Sequence, residues 1–161
     1  MRIRLALRDG DDDAIWAILE PIIRAGETYT LPREMSRADA LAYWRSPGHA
    51  VFVTEDEGGI VGTYYLRPNQ EGGGAHVANC GYMTAASSVG KGVARTMCLH
   101  SLDEAKARGF LAMQFNFVVA SNERAVRLWE RLGFTTIGRI PGAFRHPKLG
   151  MVDALAMFRN L

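Results

Sequence analysis

Two short strings in this chain carry residue types suited to holding a phosphorylated ligand. The first, Val89-Gly90-Lys91-Gly92-Val93-Ala94, lies between a strand-like segment and a long amphipathic one. Two glycines let the backbone bend so that successive N–H groups face one concavity, and the helix that follows adds its positive dipole end. Such a loop can hold a pyrophosphate with few cationic side chains, and Lys91 supplies one. It is not a P-loop, because the Gly-x-x-x-x-Gly-Lys-Ser/Thr spacing is missing, and it lacks the third glycine of a dinucleotide fingerprint. A plain tight turn with an exposed lysine stays open as a reading of the loop alone.

The second string is Asn122-Glu123-Arg124-Ala125-Val126-Arg127-Leu128-Trp129-Glu130-Arg131-Leu132-Gly133-Phe134. Read as structure only, it is a capped amphipathic helix stopped by glycine. Two further residues stand out physically. Asn79 and Asn116 are amides inside apolar strand segments, where an unpaired polar group costs roughly 1 to 3 kcal/mol. Either they are satisfied structural amides bridging strands, or they orient a ligand. No Asp or Glu occurs in residues 75–84 or 111–119, so a carboxylate base there is not expected.

The elements that must position these residues follow from periodicity. Residues 2–7 alternate as a half-buried strand. Asp11 or Asp12 could cap a helix to about Arg24, and Ser36 with Asp39 opens a shorter one to about Trp44. Residues 49–54 and 60–66 read as a hairpin around Asp56-Glu57-Gly58-Gly59. A third strand covers about 75–84, a helix 93–107, a central strand 111–119, and a second capped helix about 122–132. Two last strands, about 135–140 and 151–158, enclose a loop from Pro141 to Gly150. The order β-α-α-β-β-β-α-β-α-β-β predicts a mixed α/β domain. Trp16 and Trp44 belong to its core.

At 161 residues the chain suits a single domain over 1–161. A net charge of +2 with no basic run gives no electrostatic case for nucleic acid or a membrane surface. The N-terminus has no apolar region of a signal peptide, and no run nears the roughly 18 residues of a membrane span. A cytoplasmic location is therefore expected. Cys80 and Cys98 read as reduced, buried thiols, and the four scattered histidines offer no metal-ligand spacing.

Together and in this order, the two strings resemble the GNAT superfamily of N-acetyltransferases. The loop is similar to its Gln/Arg-x-x-Gly-x-Gly/Ala motif, with Gly92 and Ala94 in the last two places. The later string resembles its Asn-x-x-Ala-x-x-Leu-Tyr-x-x-x-Gly-Phe motif. The resemblance implies a GNAT fold: a mostly antiparallel sheet, splayed between the fourth and fifth strands and flanked by about four helices. It implies acetyl-CoA as co-substrate, with pantetheine pairing to Met83 and Thr84. The segment Val89, Gly90, Lys91, Gly92, Val93 and Ala94 would take the pyrophosphate, and Asn122 the pantetheine arm. A backbone N–H near Met83 would stabilise the developing oxyanion. Two departures matter. Val89 replaces the usual Gln or Arg but can still offer its N–H. Trp129 stands at the tyrosine position that often protonates the thiolate, and an indole N–H is no usable acid. Water or Tyr82 would supply that proton, or the thiolate leaves unassisted.

On the acceptor side, the stretches 76–82, 115–119 and 138–153 resemble the proline-analogue (azetidine-2-carboxylate) acetyltransferases. Their phosphinothricin and methionine sulfoximine relatives share the Gly26-Glu27-Thr28-Tyr29 type of segment. This implies a small amino-acid amine as substrate, a detoxifying or metabolic role, and contacts from Tyr29, Asn79, Tyr82, Asn116, Phe144 and His146. The 141–150 loop is then either a lid over the substrate or a solvated basic loop. A peptide or protein N-acetyltransferase and a catalytically silent acyl-CoA-binding module are the alternatives. A homodimer through the final strands is also compatible.

Overall fold

Alternating apolar residues build seven strands, and helices cover both faces of the sheet they form. The computed structural model describes residues 1–161. Its elements are β1 (Arg2–Leu5), α1 (Asp12–Ala25), α2 (Arg37–Trp44), β2 (Ala50–Asp56), β3 (Gly59–Pro68), β4 (Val77–Thr84), α3 (Val93–Ala107), β5 (Ala112–Val119), α4 (Glu123–Arg131), β6 (Thr135–His146) and β7 (Gly150–Asn160). Two short 3-10 turns, Gly72–Gly74 and Ala86–Ser88, flank β4. The order matches the expected one element for element. No helix is long and apolar enough to cross a membrane.

The strands lie in the order β1-β2-β3-β4-β5-β7-β6. Every neighbouring pair is antiparallel except β4 and β5, which run parallel because α3 carries the chain back between them. The sheet has two apolar faces. Ala78 and Cys80 of β4 pack with Met97, Leu102 and Trp129 from α3 and α4. Tyr65 and Met83 pack with Ile15, Leu19 and Trp44 from α1 and α2. Gly62 sets the closeness of α3, since a Cβ there would stand 2.8 Å from Val93 and 2.9 Å from Met97.

Helix starts use their polar residues differently. Ser36 caps α2: its Oγ accepts from the Asp39 N–H at 3.1 Å and donates to the Asp39 carboxylate at 2.7 Å. Asp11 occupies the N-cap of α1 but makes no capping bond. Its carboxylate is instead gripped by Arg4 at 2.6 and 2.9 Å and by the Leu7 N–H at 2.7 Å. The nearly buried carboxylate thus ties β1 to the start of α1.

The C-terminal hairpin corrects one expectation. Pro141 to Gly150 is not an open loop: β6 continues to His146 and β7 starts at Gly150. Pro141 and Gly142 are absorbed in a bulge between Ile140 and Phe144, where the Gly142 N–H donates to Asp153 at 2.9 Å. Proline's missing N–H and a glycine at φ +56° are turn signals that a bulge also satisfies.

The Arg4 hydrogen bonds hold the Asp11 carboxyl below its ordinary value of 3.8, against the opposing effect of burial. A depressed carboxylate contributes stability above its unfolded pKa and loses it as pH falls through the folded value. Asp11→Asn is expected to cost about 2 kcal/mol near neutral pH, the scale of charged hydrogen bonds. In denaturant titrations the gap should close as pH drops below about 4. A gap independent of pH would contradict this role.

Candidate active site

The sheet is held together at its centre by very little. β4 and β5 pair only at Val77↔Ala112 and Ala78↔Met113. Beyond those pairs the strands diverge. The Asn79 amide crosses the opening, donating from Nδ2 to the Gln114 carbonyl at 2.9 Å and accepting from Arg67 Nε at 3.2 Å. Divergence leaves a cleft of about 610 Å³ between the two strands, α3 and α4. Its lining contains four arginines and no aspartate, glutamate or histidine.

The continuous register of β3 with β4 decides which backbone groups face this cleft. The Ala85 N–H donates to Val61 O, and Asn69 N–H to Val77 O. Bonding alternates along an antiparallel ladder, so Asn79, Gly81 and Met83 also turn their backbone groups to β3. Ala78, Cys80, Tyr82 and Thr84 turn theirs away. Tyr29 confirms the parity from outside the ladder, its hydroxyl donating to the Tyr82 carbonyl at 2.9 Å. The backbone role expected of Met83 therefore passes to Tyr82 and Thr84. Met83 is 2% exposed and its side chain belongs to the core under α1.

At the other end, Gly90 and Gly92 adopt φ of +91° and +82°, which turn the chain into α3. The N–H groups of Gly90, Gly92, Val93, Ala94 and Arg95 make no hydrogen bond within the chain. Five free donors at one helix start form an anion site. Arg95 lies in the first turn of α3, and Arg124 stands beside Gly90. Two expectations fail here. The Val89 N–H is spent on Ala86 O at 3.4 Å and the Lys91 N–H on Ser88 O at 3.2 Å. The Lys91 side chain is exposed and does not line the cleft. Asn122 does line it, while its Oδ1 caps α4 by accepting from the Ala125 N–H at 3.4 Å.

The acceptor-side expectations divide. Tyr29, Asn79 and Asn116 line the cleft. Asn116 is exposed and hydrogen-bonded to Gln114 at 3.0 Å and Asn69 at 2.7 Å. The Tyr82 hydroxyl points into the core, 2.7 Å from Ser101 Oγ, and burial pushes its pKa well above the ordinary value. It cannot serve as the proton donor. Phe144 and His146 stay out of the cleft lining because they sit on β6. Phe144 packs on Phe117, and His146 Nδ1 accepts from the Lys148 and Leu149 N–H groups, fixing the hairpin turn. Trp129 is 8% exposed, lines the cleft, and has no hydrogen-bond partner for its indole N–H. Cys80 and Cys98 are buried and free, their thiols pushed up to about 12 by desolvation, so neither is a nucleophile. Sequence reasoning missed Arg67, Tyr43 and Tyr65, which also line the cleft.

Residues 16–134 match the Acetyltransferase (GNAT) family. The chain belongs to that family. Among relatives, it is 31% identical over 149 residues to the N-acetyltransferase aca1 of Schizosaccharomyces pombe, covering 82% of this chain and 71% of that protein. A GCN5-related N-acetyltransferase from Kribbella flavida superposes with a TM-score of 0.93 at 40% identity, over 99% of this chain and 97% of that one. A GNAT phosphinothricin acetyltransferase from Sinorhizobium meliloti, solved with acetyl-CoA, has the same fold, with a TM-score of 0.85 at 20% identity over 99% and 88%. This GNAT is an acetyl-CoA-dependent N-acetyltransferase, and its cleft fits that co-substrate: cleft-facing strand backbone for an extended amide arm, free N–H donors and arginines for phosphates.

Gly92→Ala is expected to strain the loop by roughly 1 to 2 kcal/mol, since alanine tolerates φ near +80° poorly. Calorimetric titration should then show acetyl-CoA binding about tenfold weaker. Undiminished affinity would mean that the loop conformation does not set the phosphate site.

Proposed function

We propose that this GNAT acetylates the amine of a small amino acid or amino-acid analogue of the azetidine-2-carboxylate type. The observation that carries this reading is the contact of the C-terminal hairpin with the segment beside the acceptor end. Lys148 at the β6–β7 turn pairs with Glu27 at 2.8 Å, strapping the hairpin to the segment between α1 and α2. Thr28, Tyr29 and Thr30, next to Glu27, line the cleft with Tyr43 and Tyr65. This contact beside the three tyrosines favours a small acceptor over a peptide. The segments similar to proline-analogue acetyltransferases support the same substrate class.

Acetyl-CoA, when bound, supplies an activated acetyl thioester. The cleft-facing N–H of Tyr82 or Thr84 then stabilises oxygen on which negative charge develops, the larger part of such catalysis. No carboxylate or histidine lines the cleft, so the acceptor arrives as free amine or loses its proton to water. In this reading Asn116, on the cleft lining, orients that amine. Asn79, with Oδ1 accepting from Arg67 and Nδ2 donating to Gln114, positions β4 against β5. Trp129 stands where a general acid would and cannot act as one; a thiolate of pKa roughly 8 to 9 leaves without protonation. Transfer is direct, with no covalent enzyme intermediate.

The test is thiol release from acetyl-CoA across azetidine-2-carboxylate, hydroxyprolines, methionine sulfoximine, phosphinothricin, common amino acids and peptides. Turnover is expected with one group of small amino acids, its rate rising about tenfold per pH unit below the amine's own pKa. Turnover of peptides alone, or none despite acetyl-CoA binding, would overturn the substrate assignment.

A further inference from the structure

We infer that Arg67 is a carboxylate-reading residue: it selects acceptors that carry a carboxylate near the reacting amine. This rests on the small-acceptor reading of the cleft but names the chemistry that the site recognises. The arginines of the lining are not equivalent. Arg95 and Arg124 lie at the phosphate end, in the first turns of α3 and α4, and Arg131 closes the last turn of α4. Arg67 is alone, at the end of β3, paired in register with Asn79 where the strands separate.

Its bonding leaves the guanidinium largely unused. The single hydrogen bond that Arg67 makes goes from Nε to the neutral Asn79 amide at 3.2 Å. None of the nine ion pairs in the protein involves it, although eight other basic residues find a carboxylate within 4 Å. Arg67 is half-buried, so its charge is shielded from water on one side. A partly buried arginine without an anion is an incomplete arrangement, and both Nη groups remain available for a bidentate partner.

The surroundings favour a ligand anion over a protein one. The wall beside Arg67 is aromatic: Tyr65 sits two residues earlier on the same face of β3, stacked on His49 at 4.2 Å. A Cβ on Gly81 would lie 2.6 Å from the Tyr65 ring, so this glycine makes room for the ring over β4. Distance along the strand also suits a small acceptor. Asn79, opposite Arg67, is three residues from Tyr82, or about 10 Å at the rise of a strand. An arginine side chain and a short amino acid together span that gap. A cationic acceptor such as a polyamine or lysine side chain meets repulsion there instead.

The experiment compares azetidine-2-carboxylate with azetidine, and proline with its methyl ester, as acceptors and as competitive inhibitors. Wild type, R67Q and R67K are tested, with the KM for acetyl-CoA and the melting temperature as controls for folding. In R67Q the KM for the carboxylate acceptor should rise about thirtyfold, the range of one charge-assisted bidentate contact. The loss should be confined to carboxylate-bearing compounds, and R67K should restore part of it. Equal losses on both members of each pair, or no loss on either, would overturn the inference. The two proposals fail separately. Amino acids that inhibit wild type but not R67Q, without being acetylated, would sink the acceptor assignment and keep the carboxylate site. An amino acid acetylated equally by wild type and R67Q would do the reverse.

Discussion

Two register pairs, Val77↔Ala112 and Ala78↔Met113, are the whole of the strand pairing between the two halves of the sheet. Everything chemical in the molecule follows from where that pairing stops. Backbone N–H and C=O groups inside a protein are normally bonded, and leaving them open is costly unless water or a ligand takes their place. Here the unpaired edge of β4 faces a cleft floored by Phe115 and Trp129 instead of a neighbouring strand. The chain thus trades sheet hydrogen bonds for a surface that can recognise an extended amide chain.

The divergence is stabilised from both sides. Asn79 reaches across to Gln114, giving one β5 carbonyl a partner that β4 no longer supplies. Tyr29 bonds to the Tyr82 carbonyl, joining the segment after α1 to the same edge. β5 keeps its other edge on β7, with a bulge between Phe115 and Val118 that accommodates the bend. On the phosphate side the 3-10 turn at Ala86–Ser88 uses the Val89 N–H and leaves those from Gly90 onward free, except Lys91. Donor supply is therefore a property of backbone geometry, and the basic side chains around it only add charge.

Much of this is legible in the sequence. The apolar positions of residues 93–107 and the glycine stop at Gly133 marked both helices of the cleft, and two glycines in five residues marked the phosphate loop. What escaped was information that depends on partners. Whether Met83 or its neighbours face the cleft depends on which β4 residues bond to β3, and alternation alone is silent on that choice. Arg67 follows an apolar run, and nothing in sequence shows that it lacks an anion. Pro141 and Gly142 carried turn chemistry that the fold uses for a bulge. Phe144 and His146 consequently support the hairpin and stay outside the cleft.

We propose that acetyl-CoA completes the unpaired edge of β4 and the free helix start of α3. Residue-resolved amide hydrogen exchange, with and without acetyl-CoA, tests it most directly. Protection should rise at Tyr82 and Thr84 and from Gly92 to Arg95, while Met83, already bonded to β3, changes little. Protection that rises at Met83, or that leaves the α3 start unaffected, would contradict the account.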